Sequence, residues 1–77
     1  MNGRAVTLYS RRGCHLCEDA ELLLGRLGCD LTVVDVDAEP ALQSRYGDEV
    51  PVLVMAGQPV LSGILREEAV RAALGSL

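Results

Sequence analysis

The sequence has no Trp and no Phe, and Tyr occurs only twice in 77 residues. A core without large rings must come from Leu, Val, Ile and Ala, densely packed for so short a chain. Basic residues are few: seven Lys and Arg stand against eleven Asp and Glu, for a net charge of −4. That balance argues against the basic stripe of a nucleic-acid binder, so no nucleic-acid partner is expected. Long apolar runs are missing too. The longest, Val50 to Ala56, has Pro51 inside it, whereas a bilayer span needs about 20 apolar residues. No membrane partner is expected. Met1-Asn2-Gly3-Arg4-Ala5 leads into only a short apolar stretch, so no secretory leader is expected. Three cysteines, an odd number, do not make the closed disulfide framework of a small secreted protein. At 49% hydrophobic residues the chain is too apolar for disorder. The expectation is one domain over residues 1–77, cytoplasmic and monomeric.

Hydrophobic spacing divides the chain into elements. Arg4 to Tyr9 is a short β-type run closed by Ser10 and Gly13. From Leu16 the period changes: Leu16, Ala20, Leu23, Leu24 and Leu27 form the stripe of an amphipathic helix that Gly28 stops. Leu31 to Val36 reads as a second strand, apolar enough to lie centrally in a sheet. Asp35 and Asp37 end that strand and cap a short helix with Pro40 in its first turn, closed by Gly47. Val52 to Met55, a turn at Ala56-Gly57-Gln58, and Pro59 to Leu61 make a hairpin whose second strand Pro59 places at an edge. A last helix runs from about Arg66 to Leu74. The order is β-α-β-α-β-β-α: an α/β fold with a four-stranded mixed sheet flanked by helices. The first three strands, joined by helices, are expected to be parallel and the last two antiparallel.

The chemistry concentrates in Cys14-His15-Leu16-Cys17. Two cysteines at this spacing serve thiol–disulfide exchange or half of a metal site, or are simply buried in a helix. Cys14 falls where the first strand meets the first helix, and the positive end of a helix favours a thiolate. Arg11 and Arg12 add positive charge, while Glu18 and Asp19 oppose it. Cys17, one turn further in, is expected to hold its proton and to act as the resolving thiol. A charged His15 beside Cys14 would favour the thiolate and a more oxidising disulfide; the plainer reading is an exposed first-turn residue. Cys29 reads as a small buried hydrophobe at the start of the second strand. Pro51 directly precedes a buried strand, and its bond to Val50 is open to either isomer. A cis bond would leave the Val50 backbone free to pair with an extended peptide.

Taken together, the strand, the Cys14-x-x-Cys17 pair at a helix start, Val50-Pro51, the hairpin and Ser62-Gly63 before the last helix resemble glutaredoxin, of the thioredoxin-like superfamily. The resemblance covers nearly the whole chain. It is nearest to small bacterial glutaredoxin-like proteins that share the Leu-Tyr-Ser-Arg-x-Gly-Cys-x-Leu-Cys opening of residues 8–17. It implies dithiol exchange, with Cys14 the nucleophile, Cys17 the resolving thiol and Pro51 cis. It also implies that Arg11 meets a glutathione carboxylate and that the Val50 backbone pairs with the glutathione cysteine. Arg11, His15, Val50, Pro51, Ser62 and Gly63 are thus the candidate substrate-binding residues. No bound cofactor and no metal ligand set are expected. The partners implied are disulfide-bearing proteins, with glutathione or a thioredoxin-type reductase supplying electrons.

The sequence departs from that family in places. Glutaredoxins usually carry Gly-Gly-x-x-Asp before the last helix, where this chain has Ser62-Gly63-Ile64-Leu65-Arg66. Arg66 has no acceptor for the helix N–H groups and the wrong sign for the dipole. His15 and Leu16 replace the usual proline and aromatic residue between the cysteines. The alternative function is a metal- or Fe–S-binding module in which Cys14 and Cys17 supply thiolates and further ligands come from elsewhere.

Overall fold

A computed structural model describes residues 4–75. Met1 to Gly3, part of the segment read above for a leader, lie outside the described residues, as do 76–77. The elements are β1 (Ala5–Ser10), α1 (His15–Arg26), β2 (Asp30–Asp35), a 3-10 turn (Val36–Ala38), α2 (Pro40–Tyr46), β3 (Val52–Met55), β4 (Gln58–Ser62) and α3 (Glu67–Gly75). The four strands form one sheet in the order β2-β1-β3-β4.

The two helical connections leave their strands in different directions. α1 has 12 residues, about 18 Å at 1.5 Å per residue, enough to return the chain along six-residue β1. β2 therefore starts again at the same end and pairs with β1 in parallel, from Ala5↔Asp30 to Ser10↔Asp35. α2 has only seven residues, about 10 Å, roughly half of what such a strand spans. The chain does not recross the sheet here, and β3 leaves from the end at which β2 finished. β3 accordingly runs antiparallel to β1, with Tyr9↔Val52, Leu8↔Leu53 and Thr7↔Val54. The expectation of three parallel strands is corrected on this point. β2 is also corrected: it is an edge strand, not a central one, because β3 takes the free side of β1, and Thr32 and Val33 are exposed. β4 is the other edge, as Pro59 requires, and antiparallel to β3.

The ends of the elements follow local chemistry. α1 closes with Gly28 N–H on the Gly25 carbonyl and Cys29 N–H on the Leu24 carbonyl, with Gly28 at φ 78°, the Schellman arrangement. The hairpin turn is tighter than expected: Ala56 and Gly57 alone, at φ 52° and 77°, make the connection, and Gln58 already pairs with Met55. Asp35 rather than Asp37 does the capping, its Oδ1 accepting the Asp37 N–H at 2.9 Å at the head of the 3-10 turn. The residue before α2 is Glu39, whose side chain makes no capping bond.

Alternation along the strands divides the core. Val6, Leu8, Leu53 and Met55 face α1 and α3, packing with Ala20, Leu23, Leu24 and Val70. Val52, Val54 and partly buried Tyr9 face the other way, onto Val36 and Tyr46. Of the expected helix stripe, Leu16 is 40% exposed, and Cys17, one turn before Ala20, takes the buried position.

Candidate functional site

The topology brings the end of β1, the start of α1, the start of β3 and the end of β4 to one end of the sheet. Cys14 is the N-cap of α1, with extended backbone, and its Sγ accepts the Cys17 N–H at 3.3 Å. It is half-buried, whereas Cys17 is fully buried; both are free thiols, as is Cys29. Burial pushes the Cys17 thiol up, helped by its hydrogen bond to Cys14. The Arg11 backbone and the Ser10 side chain act in the opposite sense.

On the far side of the strand end the Val50-Pro51 bond is cis. Pro51 is buried and Val50 half-buried, and the Pro51 carbonyl accepts the Gly63 N–H at 2.9 Å. That bond draws the Ser62-Gly63 segment to the start of β3, where Ser62 pairs with Val52. Continuing the β1–β3 register past Tyr9↔Val52 places Pro51 beside Ser10. Cys14, Cys17, Pro51 and Gly63 thus belong to one end of the fold. Ile64, just beyond, is 61% exposed.

His15 is almost fully exposed, its Nδ1 3.8 Å from Glu18 Oε1. Arg66 stands before α3 with its carbonyl on the Val70 N–H at 3.0 Å, and Glu67 and Glu68 bring acidic charge to the first turn. Arg11 has a partner within the chain: Nε and Nη2 each donate to Asp37 at 3.0 Å, and Gln43 Nε2 donates to Asp37 Oδ1 at 3.0 Å. The Arg11 guanidinium holds the Asp37 carboxyl below the usual carboxylate range. Gly47 makes room for this: a Cβ there would lie 2.9 Å from Arg11 Nη2 and 2.5 Å from the Gln43 carbonyl oxygen. A shallow cleft of about 370 Å³ runs from Ser10–Gly13 toward Glu18, Glu21 and Asp35, and neither cysteine lines it. Among the described residues no three His, Cys, Asp or Glu side chains gather as a metal site, and no helix is long and apolar enough to cross a membrane.

A family model described as Glutaredoxin-like domain (DUF836) matches residues 5–75. The chain belongs to this family. Its relatives include an uncharacterized protein of Mycobacterium tuberculosis, 33% identical over 67 residues, covering 75% of this chain and 69% of that one. Among solved structures, a structural-genomics target from X. campestris superposes with a TM-score of 0.82 at 36% identity, covering 94% and 97% of the two chains. A glutaredoxin from Archaeoglobus fulgidus gives 0.66 at 23% identity, covering 87% and 82%, a likeness of fold alone. The glutaredoxin-like fold, with its close Cys14–Cys17 pair, is thus that of the chain.

Sequence reasoning missed Ser10, Asp37, Gln43 and Gly47 as neighbours of this end of the fold. Ser10 had a signal, since Val6, Leu8 and Ser10 alternate onto the α1 face. Asp37, 26 residues from Arg11, had none.

Proposed function

We propose that this glutaredoxin-like chain is a thiol–disulfide oxidoreductase in which Cys14 attacks a substrate disulfide and Cys17 resolves the mixed disulfide. The observation that carries this reading is the asymmetry of the pair on one helical turn. The half-buried Cys14 sulfur is the helix N-cap and accepts a backbone N–H, while fully buried Cys17 lies directly behind it. Attack by Cys14 breaks the substrate S–S bond and releases one thiol. Closure of Cys14–Cys17 releases the second, and the two electrons go to the substrate. An external dithiol or glutathione then reduces the pair.

Disulfide-bearing proteins are the substrates we favour. The Arg11 guanidinium, which the family resemblance directs at a glutathione carboxylate, is held on two nitrogens by Asp37, so an incoming carboxylate must displace one already seated. Val50, Pro51, Ser62 and Gly63 would form the wall against which the substrate backbone lies. The reductant, glutathione or a thioredoxin-type reductase, belongs to the same proposal, as does a reducing cytoplasmic setting.

A redox titration in glutathione buffers, with thiol trapping and mass spectrometry, tests the reading. The expected result is a reversible Cys14–Cys17 disulfide with a midpoint between about −180 and −270 mV, lost in Cys14→Ser. Thiols that never oxidise and stay blocked by co-purifying metal would overturn it in favour of the metal or Fe–S module.

A further inference from the structure

Three N–H donors converge on one side chain at the cysteine end of the sheet. Arg11 Nε and Nη2 reach the two oxygens of Asp37 at 3.0 Å each, and Gln43 Nε2 reaches Asp37 Oδ1 at 3.0 Å. The donors come from the loop after β1 and from α2, and the carboxylate from the 3-10 turn after β2. The Asp37 backbone N–H is itself held by Asp35 Oδ1 at 2.9 Å, so the carboxylate is presented from a fixed turn. Gly47 leaves space for the guanidinium. Its backbone is helical, at φ −54° and ψ −34°, which any residue adopts, yet a Cβ there would lie 2.9 Å from Arg11 Nη2. What this position needs is the missing side chain, not the freedom of a glycine backbone.

A planar guanidinium fork with an amide beside it is a receptor for a carboxylate, and here a carboxylate of the chain itself fills it. As a brace the ion pair is weak, since the Arg11 and Asp37 side chains are 35% and 38% exposed and exposed pairs add little to stability. Its place matters more. Arg11 stands three residues before Cys14, no more than about 11 Å of chain. β1 and β2 end side by side, Ser10↔Asp35, so the cradle and Cys14 belong to the same end of the fold.

We propose that Asp37 is a specificity-determining residue. It fills the Arg11–Gln43 cradle, and so turns the chain away from disulfides with a free carboxylate beside the half-cystine and toward half-cystines inside a polypeptide. This rests on the oxidoreductase reading and names the substrate class of that site. A small disulfide whose half-cystine ends in a carboxylate finds the donors occupied, and its charge meets that of Asp37. A half-cystine flanked by peptide bonds brings neutral carbonyls and meets no such opposition. The reaction is the same for both: the substrate S–S bond breaks, the Cys14–Cys17 bond forms, and two electrons and two protons pass to the two substrate thiols.

The test compares two peptide disulfides that differ in one group, N-acetylcysteinylglycine disulfide and its C-terminal amide. The pre-reduced full chain is mixed with each, and closure of Cys14–Cys17 is followed by thiol trapping and mass. The ratio of rates, carboxylate over amide, is divided by the same ratio for dithiothreitol, which removes the intrinsic difference between the peptides. The unaltered protein is expected to favour the carboxylate peptide no more than dithiothreitol does. In Asp37→Ala the ratio rises about tenfold, and Arg11→Gln in that background takes the gain away. Any loosening of the cysteine loop changes both rates together and cancels in the ratio. Glu39→Gln removes an exposed charge two residues away, at a side chain that makes no capping bond, and leaves the ratio near its unaltered value. A preference of the unaltered protein for the carboxylate, no rise in Asp37→Ala, or an equal rise in Glu39→Gln overturns the inference. If Asp37→Ala does not fold, Asp37→Asn decides by the same ratio, with a smaller rise expected. Failure of the unaltered protein to reduce either peptide removes the oxidoreductase reading and this inference with it, whereas reduction of both with an unmoved ratio removes this inference alone.

Discussion

The sheet face covered by α1 and α3 and the face covered by α2 share their strands and differ in almost everything else. The first is aliphatic and broad: Val6, Leu8, Leu53 and Met55 meet Ala20, Leu23, Leu24 and Val70 from two helices. The second is narrow, with four buried residues under one short helix, and it holds both tyrosines, their rings 4.9 Å apart between centroids. Where apolar area is short, the second face adds a polar tie, Arg11 to Asp37 to Gln43. The cysteine pair sits at the strand end where both faces terminate. Consecutive residues there point to opposite faces: Ser10 is buried on the side of Val6 and Leu8, and Arg11 reaches Asp37. One face encloses the Cys17 thiol, and the other ties down Arg11, in the loop that leads to Cys14.

Core truncation gives the largest test of this contrast. Leu24→Ala, at a side chain fully enclosed between α1 and the sheet, is expected to cost about 2–5 kcal/mol. That is a large share of the stability of a small domain. Val36→Ala, equally buried on the α2 face, removes two methyl groups and should cost about 2 kcal/mol. Urea denaturation compares them, and a Val36 loss equal to or above that of Leu24 would break the proposed ranking of the faces.

The ring pair is the next test. Tyr9→Leu and Tyr46→Leu, singly and together, should give a coupling of about 0.5–1.5 kcal/mol in a double-mutant cycle. A coupling near zero would mean that the valines carry this face alone. The hairpin turn, which belongs to neither face, gives a gain instead. Ala56 holds a positive φ that Asn tolerates better, so Ala56→Asn should stabilise by roughly 0.5–1 kcal/mol. If the turn is independent of the faces, the same gain appears in the Leu24→Ala background.

Much of this arrangement was legible in the sequence. The α1 stripe from Ala20 to Leu27, the cysteine pair at its head, Gly28 at its end and Pro59 on an edge strand all follow from local rules. Strand direction did not. Alternation says which side a residue faces but not which way the strand runs, and the sixteen residues between β2 and β3 are long enough for either direction. β2 misled because Leu31, Val33, Val34 and Val36 read as doubly buried, yet no strand pairs its outer side. At the site, Cys14 and Cys17 could be found from spacing and Ser10 from parity. Asp37 looked like a helix cap because Asp before Pro40 carries that signal, and only the three-dimensional contact with Arg11 assigns it elsewhere.

Acid titration gives the smallest effect and divides the faces most sharply. Asp37 on the α2 face and Glu67 on the α3 side both have carboxyls held below their ordinary range, the first by Arg11, the second by Arg71 and Arg26. A carboxyl whose folded value is lowered contributes stability that is complete above its unfolded value, about 4. That contribution is lost as pH falls through the folded value. The thermal midpoint should therefore fall on acidification below about pH 4, and Asp37→Asn and Glu67→Gln should each flatten part of that limb. Because the two carboxyls lie on opposite faces, their effects should add. Both groups are solvent-facing and screened, so each change is small. What separates them is amide hydrogen exchange: Asp37→Asn should loosen Arg11 to Gly13, the loop leading to Cys14, while Glu67→Gln leaves that loop as protected as before. Equal loosening by both would mean that the α2 face has no special hold on the cysteine loop, and the contrast between the faces would reduce to one of size.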